Sequence, residues 1–403
     1  MRNDFLSSSM THTAPQPVRR VASVDLLRGL LMIVMALDHT RDYFSSAAVD
    51  PTDPLNSWPA LFFTRWITHL CAPGFVALAG TSIYLQRRRG LSAGSMAKKL
   101  VTRGVWLIFV EVAIVSFGIF FTWHFHFLQV IYAIGGSMIV LAALQFLPTS
   151  FVAAYGFAIV FLHNLLDRVQ PPQLGLPAAL WKFFIIPGPF LDHGRLWILD
   201  VYPILPWSGV MGLGYAFGAI VSLPPARRRL RSLQSGAATL ILFVALRLTN
   251  AYGDPVPFHH LSTHTQTAMS FLQVTKYPPS LQYICATFGV LLLLFALFDA
   301  AIEHRWLPRA LGVVEVYGRV PFFYYVPHFY MLHIIALVVL MCVTHTIHVH
   351  PPQPMFNPPI PAAAFSLPVV YLIWISVVAS LYFPCKWFAG VKARRRDWWL
   401  SYL

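Results

Sequence analysis

Ten separate windows of about 20 apolar residues run through this chain, and each is long enough to cross the roughly 30 Å hydrocarbon core of a bilayer as a helix. They fall near residues 22–44, 61–85, 104–123, 127–147, 149–166, 202–223, 235–252, 280–299, 320–343 and 362–384. Hydrocarbon offers no partner for peptide N–H and C=O groups, so such segments must satisfy their own backbone as helices. The expected fold is therefore all-α, a polytopic membrane bundle of about ten helices. With the N-terminus inside, 21 of the 29 Lys and Arg residues fall in inner segments, six fall on the outer side (Arg41 and Arg65 at the outer ends of spans), and Arg28 and Arg247 lie deeper within spans. That asymmetry follows the positive-inside rule and places both termini in the cytoplasm. Residues 1–20 read as a disordered N-terminal tail, 21–385 as one membrane domain and 386–403 as a basic C-terminal tail.

The sequence is 57% hydrophobic and 11% charged, against roughly 25% charged in soluble domains. A net charge of +14 raises nucleic acid as a partner, but no soluble segment interleaves basic and aromatic residues to receive it. The charge follows topology instead, with membrane lipid as the partner. Cys71, Cys285, Cys342 and Cys385 stand singly in apolar runs, which indicates neither a disulfide framework nor a zinc site. The polar start, Met1 to Pro17, has no apolar h-region of a signal peptide. Walker, dinucleotide-binding and Gly-x-Ser-x-Gly motifs are absent.

The first span carries the chemistry, because it places charge inside an apolar helix. Arg28 and His39 are eleven positions apart, close to three whole turns, so they share a face about 16 Å apart along the axis. Asp25, Met32, Met35 and Asp42 fall near the same stripe. Ionisable groups within a span are costly and mark function by default; the plainer reading is an i,i+3 pair of Asp25 with Arg28 near the headgroups. The second span enters from outside with Arg65-Trp-Ile-Thr-His69 and Pro73, so His69 lies about two turns deep and is expected to face the same outer cavity as His39. Pro73 frees a carbonyl and kinks this helix.

Glu111 and Arg247, buried and opposite in charge, are read as pairing with each other or reaching headgroups. The ninth span places His328 and His333 beside Pro327 in mid-bilayer, as a polar cavity wall. His124 with His126, and His348 with His350, have a spacing open to metal binding but no suitable carboxylate or cysteine beside them, so no metal is expected. The long outer segment from Asp167 to Tyr202, rich in Pro, Trp and Phe, reads as a lid.

Ser23-Val-Asp-Leu-Leu-Arg-Gly-Leu, Met35-Ala-Leu-Asp-His-Thr-Arg-Asp-Tyr-Phe, Arg65-Trp-Ile-Thr-His-Leu-Cys-Ala-Pro, Leu78-Ala-Gly-Thr-Ser, Leu205-Pro-Trp-Ser-Gly-Val-Met and Lys276-Tyr-Pro-Pro-Ser-Leu together resemble a bacterial member of the heparan-alpha-glucosaminide N-acetyltransferase catalytic-domain family. That family is similar to the wider transmembrane acyltransferases that acetylate envelope glycans, whose mark is an Arg, ten residues and a His in the first span; Arg28 and His39 match it. The resemblance implies that acetyl-CoA or another acyl-CoA enters from the cytoplasm and that the acyl group passes to a sugar or glycan acceptor on the far side of a bacterial inner membrane. It makes His39 the catalytic position. The chain differs from the lysosomal enzyme that names the family, which resembles it here with Asn in place of His39.

The residues fit such chemistry. A His near neutrality can deprotonate a sugar hydroxyl or amine while Asp38 or Asp42 orients its ring, with His69 as a further catalytic candidate. Arg28, with Asp25 and Arg65, is expected to hold the donor's phosphates or shape its tunnel. The rival reading is a transporter or flippase for a small or lipid-linked molecule, using the polar stripe as a path. A homodimer is compatible with either.

Overall fold

The computed structural model of the chain describes residues 21–46, 49–172, 175–192, 197–345, 364–395 and 397–402. The N-terminal tail and the outer loop bearing His348 and His350 fall outside them. Eight helical segments among the described residues are long and apolar enough to cross a membrane. The protein is a polytopic helical membrane protein. The two remaining expected spans are also helices but depart from the pattern. Helix α1, Ala22–Phe44, carries five charged residues, and α6, Val130–Leu144, has only 15 residues, about 22 Å of helix.

Helix α1 is the axis of the bundle. It packs against α2 (Pro59–Thr68), α3 (Cys71–Arg88), α12 (Leu281–Glu303), α13 (Pro308–Arg319), α14 (Pro321–Thr344) and α15 (Leu367–Arg394). Asp25, Arg28, Asp38 and Arg41 are therefore shielded from lipid by protein, the setting in which a span tolerates them, and Asp42, near the helix end, is exposed. The segment α2–α3 is likewise central, with 78% of its apolar window buried, whereas α10 (Pro225–Thr249) and α15 bury 22% and 17% and present their apolar residues outward. Two close approaches fix α1 and α3. A Cβ on Gly29 would sit 2.0 Å from the Val314 carbonyl oxygen, and one on Gly318 would sit 1.8 Å from that of Asp25, so α1 and α13 touch backbone to backbone. Gly80 and Gly214 do the same for α3 and α9 (Ile204–Val221), where Thr81 donates to the Gly214 carbonyl at 2.8 Å.

Several expected spans are interrupted. The second breaks at His69–Leu70 between α2 and α3. Pro73 has no N–H to give the His69 carbonyl four residues back, and the Tyr283 hydroxyl donates to that oxygen instead at 2.8 Å. The third, α4 (Ala93–Val110), passes through one π turn at Glu111–Val115 into α5 (Ser116–Phe120).

Glu111 and Arg247 do not pair. Glu111, fully buried in the π turn, accepts from the Tyr132 N–H at 3.1 Å at the start of α6, where free amides and the helix dipole favour a carboxylate. Arg247, also fully buried, donates to the carbonyls of Val256, Ser270, Phe271 and Gln273 at 2.5–2.9 Å. A guanidinium offers five donors, and carbonyl oxygens rather than one carboxylate use them.

Between Asp167 and Tyr202 the described residues form regular elements rather than a plain loop. It holds α8 (Gly175–Phe184) and the strands β2 (Gly188–Asp192) and β3 (Trp197–Asp200). Strand β3 pairs in parallel with β1 (Phe125–Leu128) and antiparallel with β2, a three-stranded sheet ordered β1-β3-β2. Asp200, the last residue of the central strand β3, accepts from the Tyr202 N–H at 2.7 Å and the Tyr132 hydroxyl at 3.3 Å, and burial without a cation pushes its carboxyl up to about 7.

Candidate active site

The two ends of α1 build two polar sites. At the first end, Arg28 bonds the Asp25 carboxylate at 3.0 Å, the Gly318 carbonyl at 3.2 Å and the Ser82 hydroxyl at 2.9 Å. The Gly29–Gly318 contact makes the second of these bonds reachable. Arg28 also lines a cavity of 390 Å³ whose other cations are Lys99, Arg103, Arg319 and Lys392. Its described lining includes no Asp or Glu. Lys99 and Arg103 come from α4, Arg319 from the end of α13 and Lys392 from the end of α15, while α3 adds Ser82 and Gln86 to the wall. Farther in, Met32, Phe75, Ile131 and Tyr325 make the cavity wall apolar. The volume lies within the roughly 300–1,000 Å³ of small-molecule sites.

At the other end, Asp38 forms ion pairs with Arg65 and with Arg41, the latter at 3.1 Å, and Arg41 also meets Asp42 at 2.5 Å. Asp38, Arg41 and Lys276 are buried. The Lys276 ammonium lies 5.1 Å over the Tyr277 ring, and its charge reaches Asp38. His39, half-buried, turns away from these carboxylates. Its Nδ1 lies 2.7 Å from Nε2 of His328, and Phe329 covers its ring at 4.3 Å.

The structure thus brings Arg28 and Asp25 together at one end, and His39, Asp38, Arg41, Asp42 and Arg65 at the other. It corrects two expectations and shows where His69 lies. Asp38 and Asp42 do not orient the His39 ring, because the arginines at 41 and 65 take their oxygens. Arg65 does not join Arg28, since α2 runs in from the opposite end of the bundle. His69 makes no ring contact with His39; it is buried, packs edge-on against Tyr283 at 5.4 Å, and its Nδ1 has no hydrogen-bond partner in the structure. The residue the sequence did not pair with His39 is His328. Its only signal was a histidine beside a proline in mid-span. Among the described residues no group of three or more His, Cys, Asp or Glu is placed to hold a metal ion.

Fold and site together define a helical membrane protein with ionisable groups lined along a central helix, a basic cavity at one end and a histidine pair toward the other. Residues 20–248 match the family described as Heparan-alpha-glucosaminide N-acetyltransferase, catalytic. The chain belongs to that family, which makes it a membrane transferase of the acetyltransferase type. No curated protein matches it.

Proposed function

We propose that the protein transfers an acyl group, in the first instance acetyl, from cytosolic acyl-CoA to a hydroxyl or amine of a sugar on the extracytoplasmic side of a bacterial inner membrane. The observation that carries this reading is the cavity: five cations and no carboxylate in its described lining suit the phosphates of the donor, while its apolar wall includes Tyr325, one helical turn before His328. In this reading both termini lie in the cytoplasm, on the side of the basic rim. The donor's thioester supplies an activated acyl carbon. Arg28, held by Asp25, binds and orients the donor. His39 takes the proton of the acceptor hydroxyl or amine as it attacks the acyl carbon, the C–S bond breaks, and the imidazolium gives that proton to the departing CoA thiolate, while Arg41, Arg65 and Asp38 keep the neighbouring charge fixed.

The test is transfer from radiolabelled acetyl-CoA by the purified protein in liposomes, comparing wild type with His39→Ala and Arg28→Ala. Label reaching an acceptor or staying on the wild-type protein, and lost in His39→Ala, is the expected result. A folded protein that neither binds nor turns over any of several acyl donors would overturn the reading in favour of transport, and flux assays would then decide.

A further inference from the structure

His39 and His328 are 289 residues apart in sequence, and the second lies outside the segment that matches the family. Their ring planes are inclined by 19° with centroids 5.0 Å apart. That separation exceeds the 2.7 Å N···N distance by about the width of one imidazole, so the rings meet edge to edge in nearly one plane, the geometry of a true hydrogen bond.

One proton must lie between the two nitrogens, because two lone pairs or two N–H groups at this distance would repel. The other nitrogen of His328 decides whose proton it is. His328 Nδ1 contacts the backbone carbonyl of Tyr325, and a carbonyl only accepts, so Nδ1 bears hydrogen. No carboxylate hydrogen-bonds either ring among the described residues, and His328 is fully buried, where an unpaired charge is costly. A neutral imidazole has a single N–H. His328 Nε2 is therefore the acceptor, the shared proton belongs to His39 Nδ1, and Nε2 of His39 carries a bare lone pair.

We infer that His328 is a positioning residue that, anchored on the Tyr325 carbonyl, fixes His39 in the Nδ1–H tautomer and presents its Nε2 as the proton acceptor. A neutral imidazole and a main-chain oxygen do here what a carboxylate does in a catalytic triad. Tyr325 also lines the basic cavity, so the residue that anchors the pair borders the proposed donor space. The catalytic consequence rests on the acyl-transfer reading; the tautomer does not.

The test is ¹⁵N spectroscopy of histidine-labelled full-length protein in lipid nanodiscs, with His39 assigned by its loss in His39→Ala, alongside transfer kinetics. Wild type is expected to show a protonated Nδ1 and an unprotonated Nε2. His328→Ala should return His39 to a mixture dominated by Nε2–H and lower kcat by about 10- to 100-fold with the donor KM unchanged. His328→Gln, which sets an oxygen acceptor near the position of Nε2, should restore the tautomer and most of kcat. Wild-type His39 protonated at Nε2, or a tautomer unmoved in His328→Ala, would overturn the inference. If His328→Ala does not fold, the wild-type and His328→Gln spectra decide it. The expected tautomer in a protein that transfers no acyl group would uphold the inference and reject the acyl-transfer reading.

Discussion

The two ends of α1 handle charge in opposite ways. At the Arg28 end, five cations from four helices gather around one cavity with no carboxylate in its described lining, two of them, Arg28 and Arg319, backed by Asp25 and Glu315. At the His39 end, Asp38 and Asp42 are engaged by Arg41 and Arg65, and the imidazole faces a neutral partner. The first arrangement leaves positive potential for an anion to satisfy. The second consumes its charge internally and keeps a base available. In the proposed reaction one helix thus separates donor binding from proton transfer by about three turns.

The comparison breaks most sharply at His39. Replacing it by Ala should lower transfer by about 10³-fold without changing donor binding, measured as turnover and as retention of labelled donor. A variant within tenfold of wild type would remove the chemistry from this end. Next comes the ion cluster. Arg65→Met leaves buried Asp38 with Arg41 as its one ion-pair partner and Lys276 farther off, and should cost about 3 kcal/mol, read as a lowered unfolding midpoint in detergent. Asp38→Asn in the same background should recover part of the loss, and an unchanged midpoint would show that Arg41 suffices. At the other end, Arg28→Ala should raise the donor KM about tenfold with little change in kcat, the loss of one charge-assisted contact. A fall in kcat alone would mean that Arg28 belongs to the chemistry.

The smallest effect comes from a control carboxylate. Asp200 is buried with hydrogen bonds but no cation, and its carboxyl lies near 7, above the ordinary value of 3.8. The folded state then holds a proton that the unfolded chain has released between those values, so its contribution to stability is greatest at low pH and declines as pH rises from about 4 to about 7. Thermal midpoints across that range should show the decline in wild type, and Asp200→Asn should flatten it.

Helical periodicity was enough to bring Arg28, Asp25 and Met32 onto one working face and to place His39 three turns away, because it reports direction around an axis. It does not report partners. Asp42 lies on nearly the same stripe as His39, yet its carboxylate goes to Arg41, since an adjacent guanidinium outcompetes a neutral ring. His328 was invisible as a partner because only the packing of α14 on α1, a contact spanning most of the chain, brings it there. Hydropathy found the spans but missed the sheet, whose strands are only four or five residues long and lie in segments rich in proline and aromatics. Glu111 carried the clearest misdirection: a buried acid suggested a basic mate, and the structure supplies the amide end of a helix.

Arg247 acts like an ion that the chain carries with it. Loops that need a fixed shape often wrap their carbonyls around a bound metal; residues 256–273 wrap theirs around a guanidinium tethered to α10. The wrapping finishes three residues before Lys276. The shape of the chain leading into Lys276 is therefore set once α10 is seated, by a cation covalently part of the protein rather than one drawn from solution.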